Sequence, residues 1–267
     1  MKHTTTLKKF IALALTCSAL AATSFAADDP KAEDLVQYGS IHETIGRKDH
    51  KGRVDLSELL KRPHFYGIGA LAGLEGEITI LDSVPVVTTV SAKGKPEAIP
   101  EGEATLLVGQ SAAAWKEVEI TENIPHDRVD AAIRKLAAQN GIDTSRPFVF
   151  TIEGQCSDVR LHVINGACPM RARMKKETIP DGQEPFEFET ESVKGIVVGV
   201  YAADSVGKLT HPATSQHSHL VYTDAATGQR VTGHLEQYGV ARGATLKLPK
   251  ISEQDGGGQP ATRPESE

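Results

Sequence analysis

The stretch "HSHLVYTDAATGQRVTGHLEQYGV" (217–240) limits the fold more than any other part of the chain. Runs rich in β-branched and aromatic residues flank "AATG" (225–228), so the segment reads as an antiparallel hairpin around a short loop. Side chains two apart on a strand share a face, which puts His217 and His219 together. With a four-residue loop Asp224 faces Gln229, and the same register sets His219 opposite His234 and His217 opposite Glu236. Directly opposed residues lie about 4.5–5.5 Å apart at Cβ. Three imidazoles and a carboxylate would then meet on one patch, close enough to bind a metal through nitrogen bonds of about 2.0–2.1 Å. The alternative is a polar, half-exposed hairpin with ordinary histidines. A slip of one residue would turn His234 and Glu236 to the other face.

Alternation and β-branching recur in "GEITILD" (76–82), "VPVVTTV" (84–90), "RPFVFTIEG" (146–154) and "KGIVVGVYA" (194–202), so the chain is strand-rich. Helices are expected at "DLSELLKR" (55–62), where Asp55 and Glu58 can cap the first turn, and at "PHDRVDAAIRKLAAQNG" (125–141), which Gly141 ends. "AKGKPEAIPEGEA" (92–104) reads as a loop or long hairpin connection, and "NGIDTSRP" (140–147) as the join between two halves. The expectation is an α+β protein with sheet lobes at 28–143 and 144–250. Residues 251–267 lack apolar periodicity and are expected to form a disordered tail.

Lys2, Lys8 and Lys9 precede the apolar run "FIALALTCSALAA", and small residues follow at "TSFAA", the order of a secretory signal peptide occupying residues 1–27. No other segment approaches the roughly 20 apolar residues of a membrane span. A soluble protein exported to the periplasm or beyond is expected, with no membrane partner after cleavage. Oxidising conditions there favour a disulfide between Cys156 and Cys168, with a soft-metal site including Met170 as the alternative. The net charge is -6, and no basic stripe accompanies the lysines, which argues against nucleic acid as a partner.

The segment "VQYGSIHETIGRKDHKGRVDLSELLKRPHFYGIGALAGLEGEITILDS" (36–83) resembles the acetolactate decarboxylase family, and the H-x-H followed by a glycine-histidine strand resembles that family's zinc site. The resemblance implies a two-lobed, strand-rich α+β fold with mixed sheets. It further implies Zn2+ on His217, His219 and His234, Glu77 of "LEGE" at the active-site glutamate position, and a small keto acid as substrate. A bound zinc would act as Lewis acid for the charge left by decarboxylation, and a carboxyl such as Glu77 would handle the proton. This sequence departs from the family where an arginine is expected: "FTIEGQ" (150–155) carries Thr151 there. Arg160 or Arg171 is then the candidate for the substrate carboxylate, and Glu236 either replaces the family's C-terminal glutamate or fills the open metal position. A catalytically degenerate exported metal- or small-molecule-binding protein is the alternative function, and a homodimer stays open as the assembly.

Overall fold

The computed structural model describes residues 35–212 and 214–250, so the expected leader and tail lie outside the described residues. Two antiparallel sheets hold nearly half of the described residues. The first contains β1 (Val36–Tyr38), β2 (Val54–Asp55), β3 (Phe65–Leu71), β4 (Gly76–Leu81), β5 (Val84–Val90), β6 (Pro96–Ile99) and β7 (Glu103–Ser111). Its order is β1-β7-β3-β4-β5-β6, with β2 also on β7. The second contains β8 (Trp115–Glu119), β9 (Phe148–Val163), β10 (Phe186–Tyr201), β11 (Gln216–Thr223), β12 (Arg230–Val240) and β13 (Thr245–Pro249), in the order β10-β11-β12-β9-β13-β8. A further β9–β10 ladder closes β9, β10, β11 and β12 into a ring.

Every ladder between these strands is antiparallel, where mixed sheets were expected. The reason lies in the connections: consecutive strands mostly return through hairpins, which can only pair them antiparallel. The change of sheet falls between Ser111 and Trp115, well before the expected division at 143/144, because β8 pairs with β13 and not with the first sheet. Part of the expected 92–104 loop is also strand. Its Pro96 can open β6 because that strand is an edge, where a missing N–H costs no ladder bond.

Helix α1 (Leu56–Leu59) starts at Asp55, whose carboxylate accepts the Ser57 N–H at 2.8 Å. Helix α2 (Val129–Gln139) buries Val129, Ile133 and Ala137 in the core of the second sheet, and Gly141 follows it at φ +85°. Alternation then sorts the second sheet's residues. Leu220, Tyr222, Val231 and Leu235 point to that core, while His217, His219, Thr232 and His234 point towards the first sheet. Thr79 Oγ1 of β4 meets Thr232 Oγ1 at 2.6 Å, and Thr232 N–H donates to Thr88 Oγ1 of β5 at 2.8 Å, so buried hydroxyls join the sheets beside the histidines. Ile68 and Val108 of one sheet pack on Val149, Val198 and Val200 of the other.

The expected disulfide is not formed: Cys156 and Cys168 are both free and buried. They sit in different apolar clusters, because β9 runs straight through Cys156 to Val163 without the turn that would fold one back on the other. At about 3.3 Å per residue, that stretch carries the chain roughly 23 Å from Cys156 before the connection that holds Cys168 begins.

Candidate metal centre

Three neighbouring strands bring three histidines into a row. His219 of β11 is paired with His234 of β12, as the hairpin register requires, and His234 is paired with His162 of β9. Asp224 N–H donates to the Gln229 carbonyl at 2.8 Å, closing the four-residue loop that sets this register. His217 lies two residues from His219 on the same face, and its Nε2 is 3.1 Å from His234 Nδ1. His211 arrives from the connection between β10 and β11, its ring centroid 5.6 Å from that of His217 and 5.1 Å from that of His234.

The donor atoms of His211, His217 and His234 all lie within 4.8 Å of one another, a spacing that can hold a metal ion. Tetrahedral bonds of 2.0 Å would set ligand nitrogens about 3.3 Å apart, close to the His217–His234 separation. His219 faces the same small cavity, of about 30 Å³, as do His162 and Glu77. Its Nε2 is buried with no hydrogen-bond partner among the described residues, an orphaned lone pair that a cation would satisfy. His219 Nδ1 lies 3.4 Å from Thr79 Oγ1. Such a contact orients the ring and aims the other nitrogen, as it does around metal-binding histidines.

Burial depresses the basicity of these rings: His219 is pushed down to about 3 and His211 to about 4, first by desolvation and then by neighbouring imidazoles. His217 and His234 are lowered well below the ordinary value for the same reasons. Neutral imidazole is the metal-binding form. Glu77, 4% exposed on β4, approaches from the opposite sheet. Its Oε2 is 3.6 Å from His219 Nε2 and its Oε1 3.9 Å from His162 Nε2, too long for hydrogen bonds. Burial raises its carboxyl well above the usual range, with only the Ile164 N–H at 3.3 Å opposing.

Glu236 does not reach the metal position, and it is not paired with His217. The β11–β12 ladder ends at His219–His234, and a bulge between Leu235 and Gln237 shifts the β12–β9 register. The carboxylate instead accepts from His162 Nδ1 at 2.7 Å and from Arg173, and forms an ion pair with Arg160, Nε to Oε2 at 3.1 Å. Desolvation alone would raise its pKa, but His162 and Arg173 outweigh that and hold it down to about 2.

The expected arginines are elsewhere. Arg160 is 47% exposed and touches the site only through Glu236. Arg171 bonds Glu177 and the carbonyls of Ile45 and Gly46. Thr151 pairs with Val198 and Lys247 towards the far end of β9, roughly 36 Å of strand from His162 at about 3.3 Å per residue. The basic side chain that β9 does send into the cavity is His162. Beyond the cavity lies a hollow of about 400 Å³, and Met170, His211 and His234 line both. Its acidic lining residues are Asp127, Asp130 and Glu236.

The model of the alpha-acetolactate decarboxylase family matches residues 35–255. No curated protein matches the sequence. Among solved structures, acetolactate decarboxylase from Bacillus subtilis subspecies spizizenii superposes with a TM-score of 0.60 at 16% identity, covering 81% of this chain and 86% of that one. The alpha-acetolactate decarboxylase of Bacillus subtilis strain 168 gives a TM-score of 0.57 at 16% identity and the same coverage, 81% and 86%. A Staphylococcus aureus protein of unknown function similar to alpha-acetolactate decarboxylase gives 0.56 at 17% identity, covering 82% and 86%. At such identities the likeness concerns the fold.

Proposed function

The chain belongs to the alpha-acetolactate decarboxylase family, and from that membership we propose a metal-dependent decarboxylase of acetolactate or a related branched keto acid, forming acetoin or its analogue. The observation that carries the reading is the convergence of strand-borne histidines on a buried carboxyl beside a hollow of about 400 Å³, which is large enough for a small ligand. Zinc suits the all-nitrogen donor set of His217, His219 and His234, and when bound it would supply a Lewis acid for the substrate carbonyl as carbon dioxide leaves.

The chain's own groups handle binding and protons. Glu77, kept protonated by burial, carries a proton at the inner wall of the cavity, where the decarboxylated carbon requires one. His162 has its Nδ1 tied to Glu236 and turns Nε2 towards Glu77, so it orients that carboxyl and gives the proton a route for replacement. Ile45, Leu106, Ile164 and Met170 complete the cavity wall and keep bulk water from the reacting carbon.

One observation favours a second reading, a metal- or small-molecule-binding protein that has lost the chemistry. Among the described residues neither arginine nor lysine lines the cavity or the hollow, so a substrate carboxylate would lack the two-pronged partner arginine offers. Metal analysis of the purified protein, followed by acetoin assay with acetolactate, separates the two. Turnover that a chelator abolishes and zinc restores supports the decarboxylase. Zinc-loaded protein inert towards acetolactate and related keto acids leaves the binding protein. The same proposal takes residues 1–27 as an export leader, and N-terminal sequencing of the protein from its native compartment tests that part: a mature start at Lys2 or Met1 would reject it.

A further inference from the structure

We propose that His211 is a fourth, displaceable ligand of the ion: without substrate it fills the coordination position that substrate must take, so access to the ion requires His211 to leave. The inference rests on the metal-dependent reading above. Three ligands on strands leave one tetrahedral position open, and in catalytic zinc sites water or substrate occupies it. Here a fourth imidazole, His211, stands within ligand distance of His217 and His234.

Placement makes this imidazole different in kind. His217, His219 and His234 belong to strands, so the ladders fix their Cα positions. His211 lies outside every ladder, in the connection between β10 and β11. His219 is further held by Thr79 Oγ1, 3.4 Å from its Nδ1, whereas no hydrogen bond holds the His211 ring among the described residues. On either side of it the chain is anchored: Ser215 N–H donates to Asp130 at 2.6 Å, and Gly207 N–H to the Thr210 carbonyl at 2.9 Å. Rotation of one side chain therefore suffices to vacate the position. His211 also lines both the 30 Å³ cavity and the 400 Å³ hollow, so it stands between the ion and the space from which a ligand of substrate size would approach. The exchange is balanced: one neutral nitrogen donor leaves as one donor from the incoming molecule binds, with no bond made or broken within the chain.

Cobalt(II) is the probe, because its visible spectrum reports coordination number without any turnover. Wild-type full-length mature protein, His211→Ala, His211→Asn and His217→Ala are each titrated with cobalt(II), and the loaded proteins then with azide. The asparagine variant keeps a polar side chain of similar bulk, so a folding defect specific to alanine does not confuse the result. Loss of even an orienting partner typically costs about 10–100-fold in metal affinity, so both His211 variants should bind cobalt at least about tenfold more weakly than wild type. They should also show a changed spectrum and take up azide at concentrations that leave the wild-type spectrum unaltered. Equal affinity, equal spectra and equal azide binding in wild type and both variants would overturn the inference. If His217→Ala loses cobalt while the His211 variants match wild type, the metal centre stands and only the role of His211 falls. A folded wild-type protein that takes up no cobalt would sink the inference and the metal-dependent reading together.

Discussion

Among the described residues no lysine or arginine pairs with the buried Glu77, and that placement says most about the chemistry at the residue scale. Burial favours the neutral form of a carboxyl in this position, and a nearby cation would favour the anion. Glu77→Gln keeps the shape and removes the proton. If Glu77 supplies it, acetoin formation should fall by about 10²–10⁴-fold, the usual worth of a positioned acid, while metal content stays at the wild-type level. Loss of metal in step with activity would instead make Glu77 a ligand or a structural group. Residues of this kind were legible in the sequence to unequal degrees. His217, His219 and His234 were legible because period-two alternation and a four-residue loop fix their facing, whereas Glu77 was legible only through the resemblance to the family. His162 was missed because Asp158, at φ +46°, interrupts the alternation of β9 and changes which side chains after it face the cavity. His211 sits where no periodicity operates, so nothing in the spacing could point to it.

At the scale of elements, irregular positions in the ladders decide where the groups end up. The bulge at Glu236 is one, and no pattern of apolar residues announces it. It converts a predicted metal-facing acid into the group that holds His162. Glu236→Ala should therefore leave the metal in place but release the His162 ring, lowering kcat with little change in metal stoichiometry, and Glu236→Gln should restore part of it. Gly199 of β10 shows how tightly the second sheet carries the site. It is paired with Ser218, between His217 and His219, and a Cβ there would lie 2.2 Å from the Phe150 ring and 2.5 Å from Ser218 Oγ. Overpacking of this kind costs about 1–3 kcal/mol. Gly199→Ala should lower the urea midpoint accordingly and weaken metal binding as β11 shifts; an unchanged midpoint would show that Phe150 can move aside. The burial of Cys156 on β9 also makes a chemical prediction. Burial lifts the Cys156 thiol to about 12, so it should resist alkylation at pH 8 in the folded protein, and unfolding should make both Cys156 and Cys168 reactive.

At the scale of the whole molecule, the two sheets meet where the ligands are, so metal binding and stability are linked. Folding buries four imidazoles whose pKa values are lower than in the unfolded chain, His211 to about 4 and His219 to about 3. The unfolded chain therefore binds more protons below its histidine pKa of about 6.5. For the metal-free protein, the stability tied to these groups is complete above about pH 6.5 and drains away as pH falls towards 4 and then 3. Glu236 adds a second, more acidic component. Its folded pKa of about 2 is below the ordinary value, so its contribution is present above about pH 4.3 and is lost as pH falls towards 2. An ion bound only by the folded state adds about 2.7 kcal/mol at a free concentration 100 times its Kd, and protons compete for the same nitrogens. Melting curves of metal-free and zinc-loaded protein between pH 4 and 8 should thus show a gap that is widest near neutrality and closes towards pH 4, with both forms losing Tm on the acid side. A gap that is constant with pH would mean that zinc binds through groups other than these histidines. A metal-free Tm that rises as pH falls from 6.5 to 4 would mean that the imidazoles are charged in the folded protein, and the neutral cluster on which the metal centre depends would have to be abandoned.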